Sequence, residues 1–196
     1  MTARERRLRE QANRHQLILA TAREMAEEEG WDNVTTRRLA DRIEYSQPVL
    51  YQHFKNKDAI VHAVATEGMV ELASVLRAAR PESGGPREAL HAVARAYTAF
   101  AARWPALYQA MLVLDTGEER GDEREPQPLL DVMAEIQEAV EPLAEGRDPR
   151  VLAEVVWSAW HGLVTLTGGA RLTEAGTDER LLLLTDALAH PAAQPA

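Results

Sequence analysis

Residues 35–57 read Thr-Thr-Arg-Arg-Leu-Ala-Asp-Arg-Ile-Glu-Tyr-Ser-Gln-Pro-Val-Leu-Tyr-Gln-His-Phe-Lys-Asn-Lys, and they are the most informative part of the sequence for the fold. Thr35 and Ser46 are both good helix N-caps, so the stretch predicts two short helices in close succession. Pro48 falls in the first turn of the second helix, where a missing N–H has no cost. Two short helices joined by a tight turn are the arrangement that presents a recognition helix to the major groove of DNA.

The side chains of this stretch divide into an apolar set and a polar set. The apolar positions, which we expect to pack the pair against a preceding helix, are Leu39, Ile43, Leu50 and Phe54. The positions that we expect to point hydrogen-bonding groups outward are Ser46, Gln47, Tyr51, Gln52 and His53. Lys55 and Lys57 follow at once and are placed for phosphate groups.

Helical periodicity continues in both directions from this pair. Upstream, an apolar stripe predicts a first helix that ends at Gly30, a residue suited to the left-handed C′ position. Downstream, a fourth helix is predicted from Lys57 to Ala79. Five more are predicted at 86–103, 105–114, 129–143, from 149 onward, and 177–189. The eighth carries too much apolar surface for one stripe, so we expect it to be buried on two sides.

These patterns predict an all-α protein of nine helices, with a three-helix helix-turn-helix DNA-binding head and a six-helix regulatory and dimerisation domain. We divide the chain into a flexible basic leader at 1–12, the head at 13–56, the ligand-binding and dimerisation domain at 57–190 and a disordered tail at 191–196. The acidic segment 115–128, rich in Gly and Pro, is expected to be mobile.

The charge is distributed unevenly along the chain. The net charge is −9, but residues 1–60 hold 11 basic and 10 acidic residues and are slightly positive, so the remaining 136 residues carry a net charge of −10. A near-neutral head on an acidic body is expected if only the head meets DNA. The chain has no cysteine, and its longest aliphatic run is too short for a membrane span. We therefore expect a cytoplasmic protein with no membrane partner.

The quoted stretch resembles the head of the TetR family of repressors. That pattern has a Thr-Thr opening, here Thr35-Thr36, and Leu-Tyr-x-His-Phe-x-x-Lys, here residues 50–57 at the same spacing. The resemblance covers roughly residues 13–60. It departs at Glu44, where the family usually has Gly, and because a non-Gly residue in a left-handed turn costs about 1 kcal/mol we expect a differently shaped turn here.

The resemblance implies a role for each residue of the head. The residues implied to bind phosphate, and so to fix register, are Thr36, Tyr51, His53 and Lys57. Gln47 is the best candidate for a base edge, that of adenine, and Pro48 and Val49 are candidates for contact with a thymine methyl group. Ser46 is a further candidate DNA contact. Because the recognition helix itself holds no Arg, either Arg37 supplies the guanine contact or specificity depends on DNA shape. The four arginines between residues 4 and 9 form either a minor-groove arm or a disordered leader.

A second resemblance lies in the body. Residues 157–163, Trp-Ser-Ala-Trp-His-Gly-Leu, with 100–111 upstream, are similar to the regulatory domain of a TetR subgroup named for its Trp-His-Gly signature. It implies a homodimer through the last two helices and a small-molecule effector of unknown identity. The candidate ligand contacts are Trp104, Tyr108, Met111, Trp157, Trp160 and His161. Each aromatic could equally be core, and we favour a structural role for His161.

The expected function is therefore a ligand-responsive transcriptional regulator, a repressor that binds a palindromic operator as a homodimer. We predict no catalytic residue, metal or cofactor. Glu88 and His91 have the Glu-x-x-His spacing of a di-iron bundle, but the second copy such a site requires is not evident. Two alternatives stay open: a helical interaction protein without specific DNA binding, and an effector-binding enzyme of helical-bundle type.

Overall fold

A computed structural model describes residues 2–112, 114 and 127–189. Over these residues the fold is all-α, as predicted, and the structure has nine α-helices and no strand. The helices are α1 Ala3–Glu29, α2 Thr36–Arg42, α3 Gln47–Tyr51, α4 Lys57–Ala79, α5 Pro86–Arg103, α6 Pro105–Leu112, α7 Gln127–Val140, α8 Pro149–Gly168 and α9 Thr177–Ala189. Short 3-10 turns cover Trp31–Asn33, Glu141–Leu143 and Glu174–Gly176. The predicted mobile segment 115–128 and the tail 191–196 lie mostly or wholly outside the described residues.

Side-chain caps begin several of the helices where the sequence places them. The Thr35 hydroxyl accepts from the Arg38 N–H at the start of α2, at 3.2 Å. Asn56 does the same for Ala59 before α4, and Asp148 for Arg150 at the start of α8. Each such bond satisfies an N–H that the first helical turn leaves without a partner.

The predicted flexible leader is helical. Helix α1 begins at Ala3, where Thr2 and Glu5 form a reciprocal capping box, and the described residues before Arg14 are exposed. Extending an existing helix adds one hydrogen bond for each residue and avoids the nucleation penalty. The buried turns from Ile18 onward supply that nucleus, so α1 continues through a segment that sequence composition alone made a leader.

Three helix ends differ from the prediction. Gly30 after α1 has the expected positive φ of 81°, but its ψ of 157° is extended rather than left-handed helical. Helix α6 ends at Leu112, two residues early. Helix α7 ends at Val140 and continues as a 3-10 turn, because Pro142 lacks the N–H that an α-helix would need there.

The chain divides into two compact units, Met1–Gly68 with Trp104–Glu123 and Met69–Arg103 with Arg124–Ala196. We call them the head unit and the body unit. The head unit contains α1, α2, α3, α6 and the first half of α4; the body unit contains the rest. The domain boundary predicted after residue 56 stays a prediction. The head unit extends past that residue to Gly68, and it also includes α6 from later in the chain.

Within the head unit, α6 is fixed to α1 by polar contacts. The carboxylate of Glu27 accepts from the backbone N–H groups of Ala106 and Leu107, at 3.1 and 3.0 Å. The indole of Trp31 donates to the Ala106 carbonyl at 2.7 Å. A Cβ at Gly68 of α4 would lie 2.7 Å from the Leu107 side chain, so α4 and α6 approach closely only because this position is Gly.

Within the body unit, a buried carboxylate joins α7 to the end of α4. Glu135 is 3% exposed and pairs with both Arg77 and Arg80. Two arginines satisfy its charge, which a buried carboxylate requires.

Helix α4 is the one helix of the described chain that is long and apolar enough to cross a membrane by length and composition. Half of the relevant window is buried inside the protein, as in the core helix of a folded domain.

Candidate nucleic-acid interface

Helices α2 and α3 form a helix-turn-helix fixed by buried apolar side chains. Leu39 and Leu50 are fully buried and Phe54 nearly so, while Ile43 is half-buried. These are the four residues predicted to hold the pair. Because they anchor the inner face of α3, its orientation is set by packing and its outer face is left to solvent.

The turn between α2 and α3 corrects one expectation. Glu44 adopts φ 57°, the left-handed conformation that the family's usual Gly would take. Its N–H reaches the Asp41 carbonyl at 3.3 Å, and the next N–H, of Tyr45, donates to the Ala40 carbonyl at 3.0 Å. The turn is therefore not reshaped: the chain keeps the geometry and accepts the strain of a side chain there.

Ser46 occupies the N-cap position of α3 but forms no capping bond with its side chain. The two N–H groups that such a cap would satisfy belong to the second and third helical residues. The second is Pro48, which has none, and the third, Val49, donates to the Ser46 carbonyl at 3.0 Å. The exposed Ser46 hydroxyl is thus not used for the cap.

Two residues predicted to bind phosphate lie together. The hydroxyl groups of Thr36 and Tyr51 are 3.4 Å apart, and the Tyr51 side chain is half exposed. The pair joins the start of α2 to the end of α3 and presents two hydroxyls on one surface. Gln47 and Val49 are half-buried and Pro48 is exposed, in the same short helix.

The three arginines of α2 differ in their partners. Arg38 pairs with Glu29 at 2.7 Å, and Arg42 with Glu28 at 3.0 Å, so both hold α2 to α1. The Glu28 contact raises the pKa of Arg42, first through the hydrogen bond and then through charge. Arg37 is exposed and makes no ion pair with a described residue, which leaves its guanidinium for an external partner.

Lys57 has an intramolecular contact that its sequence position does not indicate. Its ammonium donates to the backbone carbonyl of Trp31, in a partly buried position. Since an ammonium has three donors, this contact leaves others for a phosphate. Lys57 therefore also serves the head as a structural clip.

His53 borders a groove that sequence reasoning missed. The groove has a volume of about 320 Å³ and is lined by Leu8, Gln11, Ala12, His15, Gln52 and His53. The imidazole of His15 stacks on Phe54 with ring centroids 4.6 Å apart, and lies 6.2 Å from that of His53. Burial, then the charges of His15 and Arg14, lower the pKa of His53. Because residues 1–12 were predicted to be a flexible leader, Leu8, Gln11 and Ala12 were not expected to line a groove.

The predicted ligand contacts fall in both units. Trp104, Tyr108 and Met111 belong to the head unit, and Trp157, Trp160 and His161 to the body unit. The guanidinium carbon of Arg23 lies 4.4 Å from the ring centroid of Trp104. Trp104 also borders a groove of about 510 Å³. Tyr108 is buried and Met111 is half-buried.

In the body unit the two tryptophans pack around a buried tyrosine. Trp157 donates its indole N–H to the Tyr97 hydroxyl at 3.0 Å, and the Trp160 ring lies 5.6 Å from that of Tyr97. Trp160 is almost fully buried. His161 is half-buried, and burial lowers its pKa. These contacts give both indoles a structural role whether or not they also meet a ligand.

The Glu-x-x-His pair has no metal-site geometry in the described chain. Glu88 accepts from the Gly85 N–H in front of α5, and His91 lies 3.5 Å from Asp178. Across the residues that the structure covers, no group of three or more potential ligands gathers for a metal ion.

Comparison with known proteins agrees with this geometry. Residues 18–64 match the family described as bacterial regulatory proteins, tetR family, and residues 90–188 match the tetracyclin repressor-like C-terminal domain. The class C tetracycline repressor of Escherichia coli is 48% identical over 48 residues, which are 24% of this chain and 22% of that protein. An HTH-type transcriptional repressor of Mycobacterium tuberculosis is 39% identical over 64 residues, a third of each chain. The chain thus spans only about a fifth to a third of the length of these relatives.

Solved structures match over nearly the whole chain. A protein of unknown function from Rhodococcus sp. RHA1 has a TM-score of 0.74 at 25% identity, covering 92% of this chain and 95% of that one. A TetR variant from Acinetobacter baumannii AYE in complex with minocycline has a TM-score of 0.60 at 26% identity, covering 88% and 92%.

The fold and the exposed face of α3 define a protein of the helix-turn-helix class, the class to which the matched family of bacterial regulatory proteins belongs. The two matched domains, one of which spans half of the chain, establish that the chain belongs to the TetR family. Its relatives are regulators rather than enzymes. The narrower resemblance to the Trp-His-Gly subgroup stays a prediction.

Proposed function

We propose that this regulator is a homodimeric repressor that binds a palindromic operator and is released by a small-molecule effector. The observation that carries the proposal is α3 itself, in which a polar outer face lies on a fully buried apolar anchor. A dimer of such heads would place two recognition helices in successive major grooves, roughly 34 Å apart.

The surface around α3 supports a division between phosphate and base contacts. Thr36 and Tyr51 present adjacent hydroxyls at its edge, where they would hold a phosphate and fix register. Gln47, Pro48 and Val49 would face base edges, with the Gln47 amide able to pair with adenine. Arg37 would supply the guanine contact or a further phosphate contact. We keep His53 and Lys57 as phosphate contacts, and Ser46 as a DNA contact.

One face of α8 supports the homodimer. Val151, Val155 and Leu166 are all more than 40% exposed, and helical periodicity brings them to one side of the helix. Gly162 lies on that side as well, and a Cβ there would meet nothing in this chain. A helical Gly costs about 1 kcal/mol relative to Ala. A second helix that crossed closely at this point would require a glycine at position 162.

The effector is proposed on family grounds and its chemistry is left open. The match to the class C tetracycline repressor covers only 48 residues, 24% of this chain, so it does not extend that protein's ligand to this chain. The candidate contacts stay Trp104, Tyr108, Met111, Trp157, Trp160 and His161. We also propose that the protein acts in the cytoplasm, where a bacterial operator is found.

A mobility-shift titration with duplexes from the DNA flanking its own gene tests the proposal. We expect a shifted band with two chains on each full palindrome, and much weaker binding to a half-site. Tyr51→Ala should weaken binding to all duplexes alike, because a phosphate contact carries no sequence information. Equal affinity for flanking and unrelated DNA would contradict the proposal and favour the helical interaction protein.

A further inference from the structure

The first three turns of α1 are a basic, exposed helix beside the recognition helix. Between Ala3 and His15 the segment carries five arginines and two glutamates, a net of three positive charges. The arginines at 4, 6, 7 and 9 are exposed and pair with no described residue. Among the described residues these four arginines therefore have no ion-pair partner, whereas Arg14 pairs with Glu10 of the same helix.

The groove between this helix and the end of α3 has the chemistry of an anion site. Gln11 and His15 line it from α1, and Gln52 and His53 from the residues after α3. All four side chains carry N–H groups that can donate. No carboxylate is among the lining residues of this part of the described chain. A strand of phosphates in the groove would meet these four donor side chains, with Leu8 and Ala12 between them.

Helical geometry says which arginines face this groove. Because successive residues turn by about 100° around a helix, Arg4 lies on the same face as Leu8, Gln11 and His15. Arg6 lies on the opposite face. The distance along the axis from Arg4 to His15 is about 16 Å, several times the rise of about 3.4 Å along the duplex axis for each phosphate of one DNA strand.

We propose that the N-terminal turns of α1 are a second DNA-contact element, which binds one phosphodiester strand in the groove between α1 and the end of α3. The bound strand is that of the operator duplex, running outward from the recognition helix. The element reads no sequence, because every donor in the groove would reach phosphate. As a rigid helix it does not thread into the minor groove as an extended arm would. This inference rests on the proposed function, since it assumes that α3 meets DNA.

Two matched pairs of variants test the groove. Arg4→Gln and Arg6→Gln remove the same charge from opposite faces of one helix. Gln11→Glu and Asn13→Asp each turn an amide into a carboxylate, the first in the groove and the second on the far side. All four positions are exposed, so none should unfold the head, and circular dichroism checks this.

The measurement is fluorescence anisotropy of a labelled operator duplex against salt concentration. Arg4→Gln removes one phosphate contact and should make the slope of log K against log salt shallower by about 0.9. If the two proteins bind equally at 1 M salt, this variant should bind about eightfold more weakly than the unmodified protein at 0.1 M salt. Gln11→Glu should weaken binding at least as much. Arg6→Gln and Asn13→Asp should change both quantities by less than about twofold. An unrelated duplex should show the same losses as the operator.

If the two variants of each pair have equal effects while the unmodified protein still binds the operator, the groove does not bind the phosphodiester strand. The proposed function would not be affected by that result. A loss confined to the operator would also overturn binding of the strand in the groove, because the contact would then be to bases. Failure of the unmodified protein to bind any duplex would overturn both proposals.

Discussion

Helices α3 and α8 each bury one face, but they leave opposite kinds of surface exposed. The outer face of α3 carries hydroxyl and amide groups, with Tyr51 50% exposed. The outer face of α8 carries Val155, 56% exposed, and a glycine with open space before it. A polar face on a rigid support suits a hydrated, charged partner such as DNA. An apolar face with a small residue suits another protein helix.

The largest expected effect comes from removing the support of α3. Leu50→Ala should lower the free energy of unfolding of the head by about 4 kcal/mol, because Leu50 is fully buried and its loss leaves a cavity. Tyr51→Phe, its neighbour on the outer face, should change that free energy by less than about 0.5 kcal/mol. Chemical denaturation followed by circular dichroism measures both. Similar losses for the two would mean that α3 has no distinct outer face.

The exposed face of α8 should be sensitive to charge only if a second copy covers it. Val155→Asp should weaken the dimer by about 3 kcal/mol, roughly a hundredfold, because it buries an unpaired carboxylate. Val70 on α4 is equally exposed, at 56%, and Val70→Asp is the matched control. Sedimentation velocity over a concentration series should show dissociation for the first variant and none for the second. Equal behaviour of the two would remove the basis for a dimer through α8.

Sequence discrimination should depend on Gln47. Gln47→Ala should cost about 2 kcal/mol at a single base pair of the operator and leave binding to unrelated DNA unchanged. Binding selections on an operator library, run for both proteins, show at which position the preference is lost. A uniform loss across all positions would assign Gln47 to phosphate instead.

The turn between α2 and α3 should become more stable with glycine. Glu44→Gly should raise the thermal stability of the head by an amount equivalent to about 1 kcal/mol, because glycine has no strain at φ 57°. Glu44→Ala is the control, since it removes the charge and keeps the strain. A gain for both variants would attribute the effect to charge rather than to backbone conformation.

Affinity for DNA should also rise modestly as the pH falls from about 8 to about 6. Burial first, then the neighbouring His15 and Arg14, lower the pKa of His53 from its usual value, which favours the neutral imidazole in the free protein. A nearby phosphate favours the protonated form, so binding takes up a proton and is strengthened at lower pH. Anisotropy titrations across this range should show a severalfold increase, and His53→Gln should flatten the profile. An unchanged profile in that variant would contradict a phosphate beside His53.

Sequence reasoning succeeded where the determinants of structure are local. The Thr35 cap, the buried pair Leu39 and Leu50, and the bounds of α4, α5 and α9 all follow from spacing within a few residues of each element. The family resemblance was confirmed for the same reason, because the stretch at 35–57 is continuous in the chain.

The rest depends on contacts between distant parts of the chain, which spacing does not reveal. Lys57 donates to a carbonyl 26 residues away, and Trp157 to a tyrosine 60 residues away. The groove between α1 and the end of α3 exists only because α1 begins as early as Ala3. Composition did not distinguish this helical start from a flexible leader. Glu44 shows the reverse case, in which local strain favoured a different turn and the packing of α2 and α3 retained the usual one.

The most direct test of a sequence-specific regulator is a competition measurement at fixed physiological salt. Unlabelled operator and unrelated duplex of the same length compete for the protein bound to a labelled operator, and the ratio of their effective concentrations is the specificity. We expect a ratio of at least about a thousand. A ratio near one would show that the exposed face of α3 binds DNA only as a polyanion, and would contradict the account.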